Sequence, residues 1–333
     1  MDISTSKGTC TGRPTRIALA VVFADPGDDE QQAIDATWRA AASVARHWTP
    51  SFYACGLAPL PDDCPADLLV YLGESSRFQG VAGALSQRIP VVFVKSTIEE
   101  LLDRPPGGAR RYRMSTGVRG IAAALAAAAP VAPSVDWRSV PWPPALAAAC
   151  HLDPAEQAYV DASIAAFREA AAARGIRWRN EVPPDGSPFS VFVTMHDPLA
   201  ARLADAALTM WPQCSVLAAD GMVSICRPCG RSWPDRLVRV RHWFPQSRAV
   251  GTRRFRETFG RVLPDFDSAG MLFGTLGFLD GAQGSAPPYR LEEAGRHPGP
   301  LGAMRITASG RPAPERLVLF LGDRPMVVTV GQG

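Results

Sequence analysis

Apolar residues along this chain gather in runs of about four to eight, and each run stops at a short polar loop. Ile17–Ala24 stops at Asp25-Pro26-Gly27, Asp67–Leu72 at Gly73-Glu74-Ser75-Ser76, and Val91–Val94 at Lys95-Ser96-Thr97. Further on, Val191–Met195 stops at His196-Asp197-Pro198, and Val216–Ala219 at Asp220-Gly221. Short apolar runs without polar alternation read as strands buried on both faces. Most of the loops open a helical segment, and parallel strands need such crossovers, so the rhythm predicts parallel α/β sheets. Ligands of such sheets sit outside the carboxyl ends of the strands, which makes these five loops the first candidates for a site.

The spacing predicts a helix over 28–47, with Ile34, Trp38, Ala41 and Val44 on one face. A short strand at Ser51–Cys55 follows, then the strand at 67–72, a helix over 78–87, the strand at 90–94, a strand at 111–114 and an alanine-rich helix over 120–129. Residues 130–144 carry five prolines and two tryptophans and read as a linker. Beyond it lie a helix from Pro154 to Arg174 closed by Gly175, a strand at 176–182, and a strand–helix–strand unit over 190–224. A strand at 237–244 and helices over 252–262 and 268–283 come next. Antiparallel strands at 303–307 and 316–330, joined through Ser309-Gly310, end the chain. The loops fall in two groups separated by the proline-rich stretch, so the expected architecture is α/β, with two lobes of parallel sheet and a cleft between them. Residues 1–14 form a disordered lead-in.

At 333 residues and 47% apolar, the chain can bury two ordinary cores. A net charge of +3 with 20% charged residues does not suggest a nucleic-acid surface. No apolar run approaches bilayer length, and the polar stretch from Met1 to Arg16 lacks the apolar core of a signal peptide, so a cytoplasmic location is expected. Seven scattered cysteines do not form a disulfide framework. Cys226-Arg-Pro-Cys229 reads as loop thiols, a redox pair or half a zinc site; no second pair supplies further ligands, and neither metal nor cofactor is expected.

The order of these pieces resembles the type I periplasmic-binding-protein fold, especially its branched-chain amino acid receptors. Asp67-Leu-Leu-Val-Tyr-Leu-Gly-Glu-Ser-Ser76 and Ile89-Pro-Val-Val-Phe-Val-Lys-Ser-Thr97 resemble that family's strand–Gly–x–Ser loop and its following strand–Ser/Thr loop. Gln157-Ala-Tyr159 resembles the Gln-x-Tyr-Gly segment opening its second lobe, with Val160 in place of the glycine. Phe255-Arg-Glu-Thr-Phe259, the small-residue stretch Ala269–Ala282, and Gly302-Ala-Met-Arg-Ile-Thr-Ala-Ser-Gly310 resemble its closing elements. The resemblance covers most of residues 15–330 and implies two Rossmann-like lobes between which the chain crosses three times, residues 15–135 with 246–295 making the first and 144–245 with 300–333 the second.

By position, the resemblance implies that Ser75 or Ser76, with Ser96 and Thr97, meet a ligand from the first lobe. Hydroxyls and helix-start N–H groups suit an anion, although Ser and Thr are also ordinary caps. From the second lobe it implies His196 in the loop of an aromatic contact, Asp220 near the acid that meets an ammonium, and Tyr159 as an aromatic lid. Asp220-Gly221 also reads as a tight turn, and Asp197 as a helix cap. Trp243 and Phe244 line the cleft or pack between lobes. Alanine in place of His196 or Asp220 is expected to weaken binding with little change in melting temperature.

The expected function is a cytoplasmic sensor that closes on a small polar, amino-acid- or amide-like metabolite and signals through a regulatory protein partner; homo-oligomers are left open. One alternative is a two-lobed enzyme, glycosyltransferase-like or racemase-like, using Glu74, Lys95, Asp197 and Asp220 as acids and bases. Against it, the chain has no G-x-G-x-x-G, G-x-x-x-x-G-K-S/T or G-x-S-x-G motif. Another is an exported solute-binding protein of an ABC transporter whose leader is not among these 333 residues.

Overall fold

The computed structural model describes residues 13–23, 28–103, 108–130, 132–222, 227–244, 250–259, 267–283 and 290–330. Most of the expected lead-in, the loop Asp25-Pro26-Gly27, Cys226 and the expected helix end at Val262 lie outside these residues.

The first sheet is built from β1 (Thr15–Val22), then after helix α1 (Asp28–Val44) β2 (Trp48–Cys55), and β3 (Leu68–Gly73). Helix α2 (Phe78–Ala82), β4 (Val91–Phe93) and β5 (Arg111–Arg113) complete it. Its order is β2-β1-β3-β4-β5, with every pairing parallel. Side chains of β1 alternate between two cores: Ile17, Leu19 and Val21 face one, and Ala18, Ala20 and Val22 the other. Both faces are dry, which is why the run shows no polar alternation. Helix α1 buries Ala33, Ile34, Trp38 and Ala41. Val44, expected on that face, ends the helix and is 68% exposed. The helix expected over 78–87 breaks after Ala82 and resumes as a 3-10 turn, Leu85–Gln87. Gly80 and Gly83 weaken it, because glycine carries no helix-stabilising side chain and frees the backbone.

The chain then enters the second lobe earlier than the sequence suggests. Helix α3 (Val118–Ala128), read with the first lobe, packs Val118, Ile121 and Leu125 into the second core. Its alanine-rich surface fits closely against a neighbouring helix. The proline-rich linker contains a strand, β6 (Ser134–Asp136), and a short helix α4 (Pro144–Ala147). Helix α5 (Pro154–Ala173), β7 (Trp178–Arg179), β8 (Phe189–Val193), helix α6 (Leu199–Met210), β9 (Cys214–Ala218) and β10 (Leu237–Arg241) follow. From there the chain returns to the first lobe as α7 (Val250–Phe259) and α8 (Asp267–Gln283), whose Phe255, Leu272 and Leu276 join the core beneath β1. A small antiparallel sheet, β11 (His297–Gly299), β12 (Gly302–Ile306) and β13 (Pro312–Ala313), lies beside α8. The part of it expected in the second lobe instead buries Met304 and Ile306 with the first. A third crossing leads to the hairpin β14 (Glu315–Leu321) and β15 (Arg324–Val330). The second sheet is ordered β15-β14-β10-β9-β8-β6-β7; β14 and β15 are its antiparallel members.

Arg113, 1% exposed, ties the lobes where they join. It pairs with Glu99 at 3.1 Å in the first lobe and with Glu315 of β14 at 3.4 Å. Burial raises the Glu315 carboxyl, Arg113 acting against it.

Candidate functional site

The carboxyl edges of the two parallel sheets converge on the start of α5. After β3, Glu74 leads into a 3-10 turn, Ser75–Arg77. Arg77 donates to Glu74 at 3.1 Å and, across the lobes, to Asp153 at 2.9 Å. Asp153 caps α5: its Oδ1 accepts the Glu156 N–H at 2.8 Å, and Glu156 accepts the Asp153 N–H at 3.2 Å. This reciprocal pair is a capping box, and it fixes the helix start. Six residues on, Tyr159 faces the ends of β8, β9 and β10.

Three of the sequence-predicted residues meet there. Tyr159, from α5, donates its hydroxyl to Oδ1 of Asp220 at 2.5 Å. Its ring stacks on that of His196, with centroids 5.6 Å apart and planes 20° from parallel. Asp220 follows β9, His196 follows β8, and the two loops touch closely. A Cβ on Gly221 would lie 2.4 Å from the Met195 carbonyl oxygen, so only glycine permits this approach. Tyr159 is buried, while His196 is exposed.

A fourth member, His242, lies just past β10. Its Nε2 is 3.0 Å from Oδ2 of Asp220. Burial acts to raise the Asp220 carboxyl, but the hydrogen bond and charge of His242, the Tyr159 hydroxyl and the charge of His196 hold it well below the usual carboxylate range. An ionised carboxylate only accepts, so His242 donates through Nε2. Burial first, and then the Asp220 charge, pushes the Tyr159 hydroxyl well above its ordinary value. Sequence reasoning passed over His242 because the run from Leu237 reads as one strand to Phe244. The strand-end rule applied to β10 as it folds would have found it.

The first-lobe candidates are arranged differently. Ser75 is half-buried and Ser76 exposed. The capping alternative for them does not hold: Glu74 occupies the N-cap of their turn, without a side-chain bond. Ser96 and Thr97, beyond β4, are 2% and 3% exposed. Ser96 Oγ is buried without a hydrogen-bond partner, and its carbonyl accepts from Ser115. The Thr97 carbonyl accepts the Val118 N–H at the first crossing. Lys95 is paired with Asp267 at 3.2 Å, at the start of α8. Trp243 turns away from this region into the first-lobe core against Phe255 and Gly270.

Among the described residues no group of three or more His, Cys, Asp or Glu side chains is placed to hold a metal ion. Among them no helix is long and apolar enough to cross a membrane.

No protein-family model matches the sequence, and no curated protein is similar to it. Solved structures are similar in fold. A leucine-binding protein from Thermotoga maritima shares 13% identity, with 95% of this chain and 98% of that one covered and a TM-score of 0.65. A substrate-binding protein of an ABC transporter from Desulfitobacterium hafniense, solved with Leu, shares 15% over 94% and 100%, with a TM-score of 0.64. A solute-binding protein of an ABC transporter from Rhodopseudomonas palustris, solved with p-hydroxybenzoic acid, shares 12% over 95% and 97%, with a TM-score of 0.65. With two parallel-sheet lobes, three crossings and these neighbours along nearly its whole length, the chain has the type I periplasmic-binding-protein fold.

Proposed function

We propose that this protein is a solute-binding protein that closes its two lobes on a small acid or amino-acid-like molecule and presents the closed form to a partner. The observation that carries this reading is the meeting of both carboxyl edges at α5. Arg77 behind β3 reaches Asp153, while Tyr159 of the same helix meets His196, Asp220 and His242 behind β8, β9 and β10. Ser75, Ser76, Ser96 and Thr97 would meet the ligand from one side, and Tyr159 and His196 from the other. Closure about connecting segments is the ordinary response of two lobes to a guest between them.

Several structural neighbours are named as binding proteins of ABC transporters, which supports an ABC-transporter receptor over the cytoplasmic sensor as the partner-facing role. The acid–base alternative loses support from the pairing: Glu74 is held by Arg77, Lys95 by Asp267, and Asp220 by Tyr159 and His242. The test is a thermal-shift panel of amino acids and small carboxylic acids, followed by mass spectrometry of each hit after incubation. A binding protein returns its ligand unchanged. Consumption of the ligand would replace this reading with an enzymatic one.

A further inference from the structure

We infer that the third crossing carries a second binding site, made of none of the residues gathered at α5, in which Arg296, Arg305 and Arg316 take a doubly charged oxyanion of the phosphate type.

The site is built around Gly302, whose φ of 115° lies in the left-handed region that favours glycine. A Cβ there would sit 2.7 Å from Nη1 of Arg316, so the missing side chain also makes room for a guanidinium. Arg316 is half-buried in β14, and its Nη1 donates to the carbonyls of Leu301 and Ala303, each at 3.2 Å. These bonds hold the group in place. Nε and Nη2 have no partner among the described residues, so their N–H donors stay open. Arg296 reaches the same acceptor, with its Nη2 3.4 Å from the Ala303 oxygen. Two guanidiniums on one carbonyl are close neighbours. The third arginine follows from register. His297 pairs with Met304 across β11 and β12, so Arg296, one residue earlier, stands opposite Arg305. Along β12, Ala303 and Arg305 are exposed while Met304 and Ile306 are buried, so Arg305 rises from the same outer face as Ala303.

Three cations in this arrangement repel, since like charges directly opposite on adjacent strands are destabilising. None of the three has an ion pair among the described residues. The carboxylates that flank them in the chain are engaged elsewhere: Glu292 by Arg110, Glu293 by Arg290 and Glu315 by Arg113. A guanidinium offers a planar fork of donors that matches the oxygens of an oxyanion, and converging forks match an ion with several oxygens and more than one charge. Arg296 and Arg305 are exposed, so the anion enters from solvent, either free or as the phosphoryl group of an ester. Arg316 belongs to the second sheet, while β12 buries Met304 and Ile306 with the first lobe. The bound ion therefore ties the two lobes where the chain last crosses.

Titration calorimetry of the full-length chain with inorganic phosphate, phenyl phosphate and chloride, all at one ionic strength, tests this. The expected result is one site for phosphate with a Kd below about 1 mM, at least about tenfold tighter than chloride. Tighter binding of phenyl phosphate than of phosphate would support a phosphoryl group on a larger molecule, and the reverse would support the free ion. The variant Arg296→Gln/Arg305→Gln changes two exposed side chains and should fold; it is expected to weaken phosphate at least fivefold, while Arg305→Lys keeps most of the affinity. Unchanged affinity in the double variant, or phosphate binding no better than chloride, would overturn the inference. The cleft reading stands or falls separately, because its ligands and its residues are different.

Discussion

His196 and Asp220 look equivalent in the sequence, each a polar residue ending an apolar run, but the structure separates them. His196 is exposed and touches the site through ring stacking. His196→Ala should change stability by no more than about 0.5 kcal/mol, as for surface positions, while weakening ligand binding. Asp220 instead accepts from two enclosed partners, and leaving a buried donor without its acceptor costs about 1–3 kcal/mol for each group. Asp220→Ala should therefore fail the expectation of an unchanged melting temperature, and urea melts of the two variants read the contrast. The pH dependence follows from the same pairing. The folded-state carboxyl lies below its unfolded value of about 3.9, so its stabilisation is complete above about pH 4 and is lost as the pH falls further toward the folded value. Asp220→Asn should flatten that acid limb between about pH 4 and 2. At Gly270 a Cβ would sit 2.2 Å from the Trp243 ring, which is 1% exposed. Gly270→Ala should cost about 1–3 kcal/mol by overpacking, seen as a lower denaturation midpoint.

At the scale of elements, α5 carries the most function per residue. Its capping box sets the angle at which Tyr159 reaches the strand ends, and its cap residue also receives Arg77 from the other lobe. Asp153→Ala should lose about 1 kcal/mol from the cap alone. A double-mutant cycle with Arg77→Ala should return no more than about 1 kcal/mol of coupling in the ligand-free protein, because both side chains keep contact with water. The strong periodic elements were legible: α5, α6, β1, β3 and β8 follow from their spacing within a few residues. Those that were not share a cause. Strand β6 is three residues long among prolines, and β7 is two, so neither offers enough positions for a period to show. Helix α2 is broken by glycine. His242 was hidden because β10 hands over directly to Trp243 and Phe244, apolar residues that serve the other lobe's core.

For the whole molecule, the two-lobe plan was readable from the order of strand-end loops, while the three crossings came from the family resemblance and not from any periodicity. Which segments belong to which lobe was less readable, because burial says that a residue is inside and not which inside. Helix α3 and the strand β12 both illustrate this. Arg113 joins β5 to β14 between two carboxylates and is 1% exposed. Arg113→Ala would leave Glu315 without its paired cation at the lobe junction, while Glu99 keeps Arg311 at 3.0 Å, at a cost of about 3 kcal/mol. Calorimetry should show both lobes melting earlier in one transition, as expected when a shared tie fails.

The helices α7 and α8 that cover the first sheet are encoded after the second lobe, and this has a practical corollary for anyone who wishes to study half of the protein. No single cut in the gene separates the lobes. A fragment ending near Gly117 would carry β1 to β5 with the face of Ile17, Leu19 and Val21 stripped of Leu272, Leu276 and Phe278. Such a fragment should precipitate. Even a circularly permuted gene that begins at Val250 would leave β14 and β15 of the second sheet between β13 and β1, so the lobes stay interleaved.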